Sequence, residues 1–133
     1  MKTCINTVYL GPVAFDKKQL IIIKKPISVY IILLEVSNYT GIGIDDMKSI
    51  IRKHEIVKAR CIAISLIIKY LPILTLKKVG NIFKRDHSTV IYNHRLAEDL
   101  MVGERGFKTT YKAIEAQLIS KYDISKAPKF QLI

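Results

Sequence analysis

Residues 55–70 limit the possible folds more than any other stretch of this chain. Val57, Ile62, Ile64, Leu66, Ile67 and Ile68, with Leu71 just beyond, give it a dense apolar face at helical spacing. Pro72 stops that helix, because proline has no amide proton to donate and its ring crowds the preceding turn. The apolar stretch 61–68 falls well short of the roughly 20 residues that a membrane-spanning helix needs. So much apolar surface must therefore be covered by other helices of a globular domain.

The rest of the chain supplies those partners. Its 133 residues suit one domain, and half of them are hydrophobic, which excludes disorder by composition. A helix is expected over 28–39, where Val29, Ile31, Ile32, Leu33 and Val36 surround most of its circumference. Gly41 suits the left-handed position that ends it. Residues 44–47 begin a short helix with Asp45 and Asp46 near its positive end, leading into the basic link Arg52-Lys53-His54. Thr75 is placed to cap a helix over 76–83, with Leu76, Val79, Ile82 and Phe83 turned to the core. After a turn at Lys84-Arg85, Asp86 caps a helix that starts at His87. A loop over 102–106 precedes a last helix at 107–121. The expected fold class is all-α, a helical bundle containing a helix-turn-helix. Residues 1–26 read as an N-terminal arm of short extended pieces (Val8-Tyr9-Leu10, then 19–23), closed off by Lys24-Lys25-Pro26. The domain is expected over 27–122 and a tail over 123–133.

Charge narrows the function. Lys and Arg total 22 against 11 acidic residues, a formal net charge of +11, which favours a polyanionic partner. Between Lys48 and Arg95, eleven basic residues face only Glu55 and Asp86. Cys4 and Cys61 make no disulfide framework and no CxxC pair, and Cys61 reads as a core thiol. His54, His87 and His94 lack the company a metal site requires. Ser88 beside His87 is no catalytic pair, since neighbours in sequence point apart on a helix. No signal peptide follows Lys2. The chain is expected to be a cytoplasmic non-enzyme without cofactor, metal or small-molecule substrate.

Two short helices joined by a tight turn in a basic setting spell helix-turn-helix, whose second helix enters the major groove by its first residues. Here those residues are Asp86, His87, Ser88 and Thr89, preceded by Arg85. A carboxylate can accept from a cytosine amino group, Ser and Thr serve several bases, and an imidazole can bond or pack on a thymine methyl. Lys77, Lys78 and Lys84 are placed for phosphates, which position the protein without specifying sequence.

Arg85-Asp86-His87-Ser88-Thr89-Val90-Ile91 resembles the signature of the C-terminal DNA-binding domain (domain IV) of the bacterial replication initiator DnaA. That signature is Arg-Asp-His, then Ser or Thr, Thr, Val and an aliphatic residue. The resemblance extends over residues 27–121, taking in Tyr39 and Ile42, Lys58-Ala59-Arg60 at the head of the long helix, and Leu76-Lys77-Lys78-Val79-Gly80 in the first motif helix. It implies a Trp-repressor-like helical bundle that binds DnaA-box elements of replication origins. It also implies that Arg52 enters the minor groove while Asp86, His87 and Thr89, with Ser88, read the major groove. Arg60, Lys77 and Lys84 fall at or near backbone-contacting places, and Lys58, Lys78, Arg85 and Tyr92 complete the candidate DNA-binding set.

Three departures from the family pattern stand out. Only Lys84 separates Phe83 from Arg85, where many members carry two residues, often glycines. Asn93 follows Tyr92 where the family usually has a small Ala, which bears on how the reading helix packs. No GxxxxGK[S/T] phosphate loop is present, so ATPase activity is not expected. The partner expected is double-stranded DNA, with host replication proteins as further candidates. The alternatives are a helix-turn-helix transcription regulator, or an interaction or membrane-surface protein that kept the fold without reading DNA.

Overall fold

The 55–70 segment folds as a helix with almost no outward face. The computed structural model describes residues 25–123, and α3 (His54–Tyr70) is its central element. Every residue from 59 to 67 is buried. That burial is possible because all five other helices pack on α3: α1 (Val29–Thr40), α2 (Ile44–Met47), α4 (Leu76–Ile82), α5 (His87–Gly103) and α6 (Arg105–Lys121). The core they share includes Ile32, Leu33 and Val36 of α1, Val79 and Phe83 at α4, Val90 and Ala97 of α5, and Phe107, Ile114 and Leu118 of α6. The expected all-α bundle is the observed one, apart from one two-residue pairing. β1 (Lys25–Pro26) lies parallel to β2 (Tyr122–Asp123), with Lys25 opposite Tyr122 and Pro26 opposite Asp123.

Local signals set the helix ends. The Ser28 hydroxyl accepts from the Ile31 amide at 3.4 Å, and Gly41 ends α1 at φ 79°, its amide donating to the Ser37 carbonyl at 2.8 Å. Two expectations need correction. The loop sought at 102–106 shrinks to Glu104 alone, because α5 continues to Gly103 and α6 begins at Arg105. A helical glycine costs only about 1 kcal/mol against alanine, which the packing of the flanking turns through Leu100 and Phe107 outweighs. Leu76 was expected in the core and is 37% exposed, since the first residue of a short helix overhangs the core's edge. The arm pieces at 8–10 and 19–23, Cys4, and the tail beyond Asp123 lie outside the described residues.

Buried polar groups pin α6 in place. Glu115 accepts from Lys69 Nζ and from the Tyr70 hydroxyl, each at 2.5 Å, and Lys121 reaches Glu35 at 3.1 Å. Burial alone would raise the Glu115 carboxyl. The Lys69 and Tyr70 hydrogen bonds, with the charges of Lys69 and Lys112, outweigh it and hold the group below the ordinary carboxylate range. Cys61 is fully buried, and burial pushes its thiol up to about 11, so it is inert packing rather than a nucleophile.

Candidate nucleic-acid interface

The turn between α4 and α5 decides where the second helix of the motif points. Its backbone forms a double-bonded helix stop: the Arg85 amide donates to the Gly80 carbonyl at 2.8 Å and the Lys84 amide to the Asn81 carbonyl at 3.2 Å. This stop needs one residue in the left-handed region, and Lys84 fills it at φ 56°. Among the described residues it is the one non-glycine residue with a positive φ. Gly80 permits the closeness of the two helices, because a Cβ there would overlap the Arg85 carbonyl oxygen. An isolated glycine in a helical pattern is a sequence signal of such close approach.

Asp86 then opens α5. Its Oδ1 accepts three hydrogen bonds: from the Thr89 amide at 3.0 Å, the Thr89 hydroxyl at 2.8 Å and the Ser88 hydroxyl at 3.0 Å. The Thr89 backbone bond, and then the two hydroxyls, lower the carboxyl from its usual value. Both hydroxyl protons are committed to Asp86, so the two oxygens offer lone pairs, not protons, to anything in front of them. His87 and Tyr92 are exposed on the same helix, Tyr92 at 64%.

The basic link between α2 and α3 is locked against this turn. Arg60, expected at a phosphate-contacting place, is buried at 3% exposure and turned inward. Its Nε donates to the Met47 carbonyl at 2.7 Å, and its Nη2 to the carbonyls of Ser49 at 2.9 Å and Ile51 at 3.0 Å. Burial lowers its pKa, and the neighbouring charges of Arg85 and Arg52 act in the same direction. Arg85 reaches the same loop from the other side. Its Nη2 donates to the Ser49 carbonyl at 2.6 Å and its Nη1 to the Phe83 carbonyl at 2.9 Å. One carbonyl oxygen, that of Ser49, therefore joins the basic loop, the long helix and the helix-turn-helix. Sequence reasoning did not find it, since a main-chain acceptor leaves no mark in a residue pattern.

These elements enclose a cleft of about 510 Å³ lined by Arg52, Arg60, Arg85, Ser88, Thr89 and Tyr92, with Val57, Asn93 and Leu96 behind. No carboxylate lines it. The cleft thus gathers six of the twelve candidate residues. Asp86 and His87 are exposed at the head of the same helix, Lys84 in the turn before it, and Lys77 and Lys78 at the start of α4. Lys58 stands apart, because it pairs with Glu104 across a separate, more apolar cleft lined by Tyr39, Ile42 and Phe107. Asn93 seats α5 on α3. Its Nδ2 donates to the Thr89 carbonyl at 2.9 Å, and its Oδ1 lies 3.5 Å from the Cys61 thiol. The departure from a small residue is thereby absorbed by a thiol on the facing helix.

Among the described residues, no helix is long and apolar enough to cross a membrane, and no group of His, Cys, Asp or Glu could hold a metal ion. Comparison with known proteins identifies the arrangement. The model of the bacterial dnaA protein helix-turn-helix family matches residues 29–96, just over half of the chain. A relative, the chromosomal replication initiator protein DnaA of Thermodesulfovibrio yellowstonii, is 44% identical over 69 residues, which is 51% of this chain and 16% of that protein. The chain thus spans about a sixth of the length of that relative. The match contains the loop, the long helix, the locked turn and the opening of α5 described above, and the chain belongs to the bacterial DnaA helix-turn-helix family.

Proposed function

We propose that this chain binds double-stranded DNA sequence-specifically, at DnaA-box-like origin elements, and acts in replication initiation or its regulation without hydrolysing ATP. The observation that carries the reading is the carboxylate-free cleft in which Arg52 faces Ser88, Thr89 and Tyr92. A duplex laid along it meets the exposed Arg52 on a loop that Arg60 and Arg85 hold in place through its carbonyls. Arg52 then reaches the minor groove on one side while the head of α5 enters the major groove on the other. Lys77, Lys78 and Lys84 flank that path as exposed cations suited to backbone phosphates.

The hydrogen bonding at Asp86 sharpens what the helix would read. With their protons given to Asp86, Ser88 and Thr89 act as acceptors, which suits the amino groups of adenine and cytosine in the major groove. His87, exposed at the first helical position, can add a donor or pack on a thymine methyl. Both grooves are read by one protomer, so the preferred site need not be palindromic.

Fluorescence anisotropy with a DnaA-box duplex and a scrambled duplex at physiological salt tests the proposal. Binding to the box at least about tenfold tighter is the expected result, given that one good base contact is worth about 1–3 kcal/mol. Equal affinity for the two duplexes would overturn it.

A further inference from the structure

Two consecutive isoleucines form the tip of the loop between α2 and α3, Ile50 at 85% exposure and Ile51 at 42%. A single exposed aliphatic side chain is ordinary on a protein surface. These two differ in how firmly the chain beneath them is held. The Ser49 amide and hydroxyl both donate to the Asp46 carbonyl, at 3.1 and 2.6 Å, and the Ile51 amide donates to the Ser49 hydroxyl at 3.3 Å. Arg60 fixes the carbonyls of Met47, Ser49 and Ile51, and Arg85 fixes that of Ser49 a second time. A backbone tied at so many points holds its aliphatic tip out in solvent. The tip is followed directly by Arg52, a wall of the carboxylate-free cleft.

We propose that Ile50, backed by Ile51, is an aliphatic wedge that enters the DNA minor groove beside Arg52 and partly unstacks a base step there, an inference that rests on the DNA-binding reading above. Aliphatic side chains used in this way open a step and bend the duplex toward the major groove by roughly 20–90°. The role divides cleanly between neighbours: Arg52 supplies charge and hydrogen bonds, and Ile50 supplies the apolar body that separates the bases. A duplex is favoured over an anionic lipid surface because the loop is in fixed register with the reading helix. The Ser49 carbonyl is bonded to Arg85, the residue directly before the Asp86 cap. Insertion into a bilayer would demand no such registry, whereas reading two grooves of one duplex does.

The test uses the full chain and a short DnaA-box duplex carrying a fluorophore at each end, so that affinity and end-to-end distance are read together. The wild-type chain is expected to shorten the end-to-end distance on binding. Ile50→Ser should remove most of that change and weaken box binding by roughly tenfold, the loss of one buried aliphatic contact. Its melting temperature should match the wild type, because Ile50 is 85% exposed. Val102→Ser, which alters an equally open aliphatic (91% exposed) outside the cleft, should change neither reading. If Ile50→Ser bends and binds the box duplex like the wild type, the wedge is wrong while the DNA-binding reading stands. If the wild type does not prefer the box duplex to a scrambled one, both fall together. If Ile50→Ser instead loses binding to vesicles of anionic phospholipid and keeps its DNA behaviour, the tip is a lipid contact and the wedge is refuted.

Discussion

Arg85 separates two kinds of contribution that a basic residue can make in such a protein. It lies at the edge of the cleft, where it could bind a phosphate, yet two of its nitrogens are already committed to the carbonyls of Phe83 and Ser49, at 2.9 and 2.6 Å. Arg85→Ala removes both bonds. A hydrogen bond from a charged donor contributes about 1.5–3 kcal/mol when nothing replaces it. Here replacement is partial: Ser49 keeps its bond from Arg60, and removing the half-buried Arg85 side chain opens the otherwise buried Phe83 carbonyl to water. The expected stability loss is therefore near the bottom of that range, about 1–2 kcal/mol by urea denaturation.

The effect on DNA should be larger in selectivity than in raw affinity. Without Arg85, the loop carrying Arg52 stays tied to α3 through Arg60 but loses its bond to the turn that precedes α5. The two reading elements can then drift relative to each other, and the preference for a box over a scrambled duplex should fall by about tenfold, or about 1.4 kcal/mol. The slope of log affinity against log salt should stay unchanged, because no phosphate contact has gone. A phosphate-binding Arg85 predicts the opposite pattern, uniform weakening of all duplexes with a slope smaller by about 0.9. Anisotropy titrations of both duplexes at several salt concentrations distinguish these outcomes, and the second pattern would refute the positioning role. Arg85→Lys should behave like the alanine variant, since an ammonium lacks the planar fork that spans two carbonyls.

Gly80→Ala should destabilise the fold by about 1–3 kcal/mol in urea and weaken DNA binding, because the added methyl displaces the Arg85 carbonyl and with it the start of α5. Lys84→Gly should raise stability by about 0.5–1 kcal/mol by relieving the left-handed strain, and should lower the salt slope by about 0.9 if the cation binds a phosphate; Lys84→Ala serves as the control that loses charge without relieving strain. Glu115→Gln should cost about 1–2 kcal/mol at neutral pH and flatten the acid limb of a stability–pH curve. The sign follows from its lowered carboxyl: the stabilisation is full above the ordinary carboxylate range and disappears as pH falls through the lower folded-state value, so an unchanged acid limb would count against it. Arg52→Ala should reduce affinity for the box duplex more than for the scrambled one, and equal losses in anisotropy titrations would assign Arg52 to phosphate contact alone.

The parts of this molecule that were legible in its sequence are those fixed by neighbours in the chain. Thr75 and Asp86 each cap the helix that follows, with side-chain bonds to amides three residues on. The burial of Ile62, Ile64, Leu66 and Ile67 follows from the apolar pattern, whereas that of Arg60 does not. The α5–α6 junction was misread because Gly103 and Gly106 signal a loop locally, while packing through Leu100 and Phe107 keeps the helices running almost to each other. Asn93 looked like a disturbance of the reading helix, and its accommodation depends on Cys61, 32 residues earlier. No local pattern reports a match at that separation.

The same distinction explains why charge alone gave an uneven list of site residues. Arg60, Arg85 and Lys58 look alike in sequence as surplus cations around the motif. The fold gives Arg60 the carbonyls of a tight loop, Arg85 a link between that loop and the turn, and Lys58 an acidic partner on a different face. What remains free around the cleft is a smaller set: Arg52 on the loop, Lys84 in the turn, and the head of α5. Rigid positioning has a direct energetic use here. Binding that must align two elements with two grooves loses less conformational entropy when the elements are already fixed to each other. On the proposed DNA-binding reading, arginines committed to loop carbonyls, as Arg60 and Arg85 are, set how well DNA is read. A double-mutant cycle on Arg52→Ala and Arg85→Ala measures this: a coupling of at least about 0.5 kcal/mol in box binding is expected, and additive losses would mean the two elements act independently.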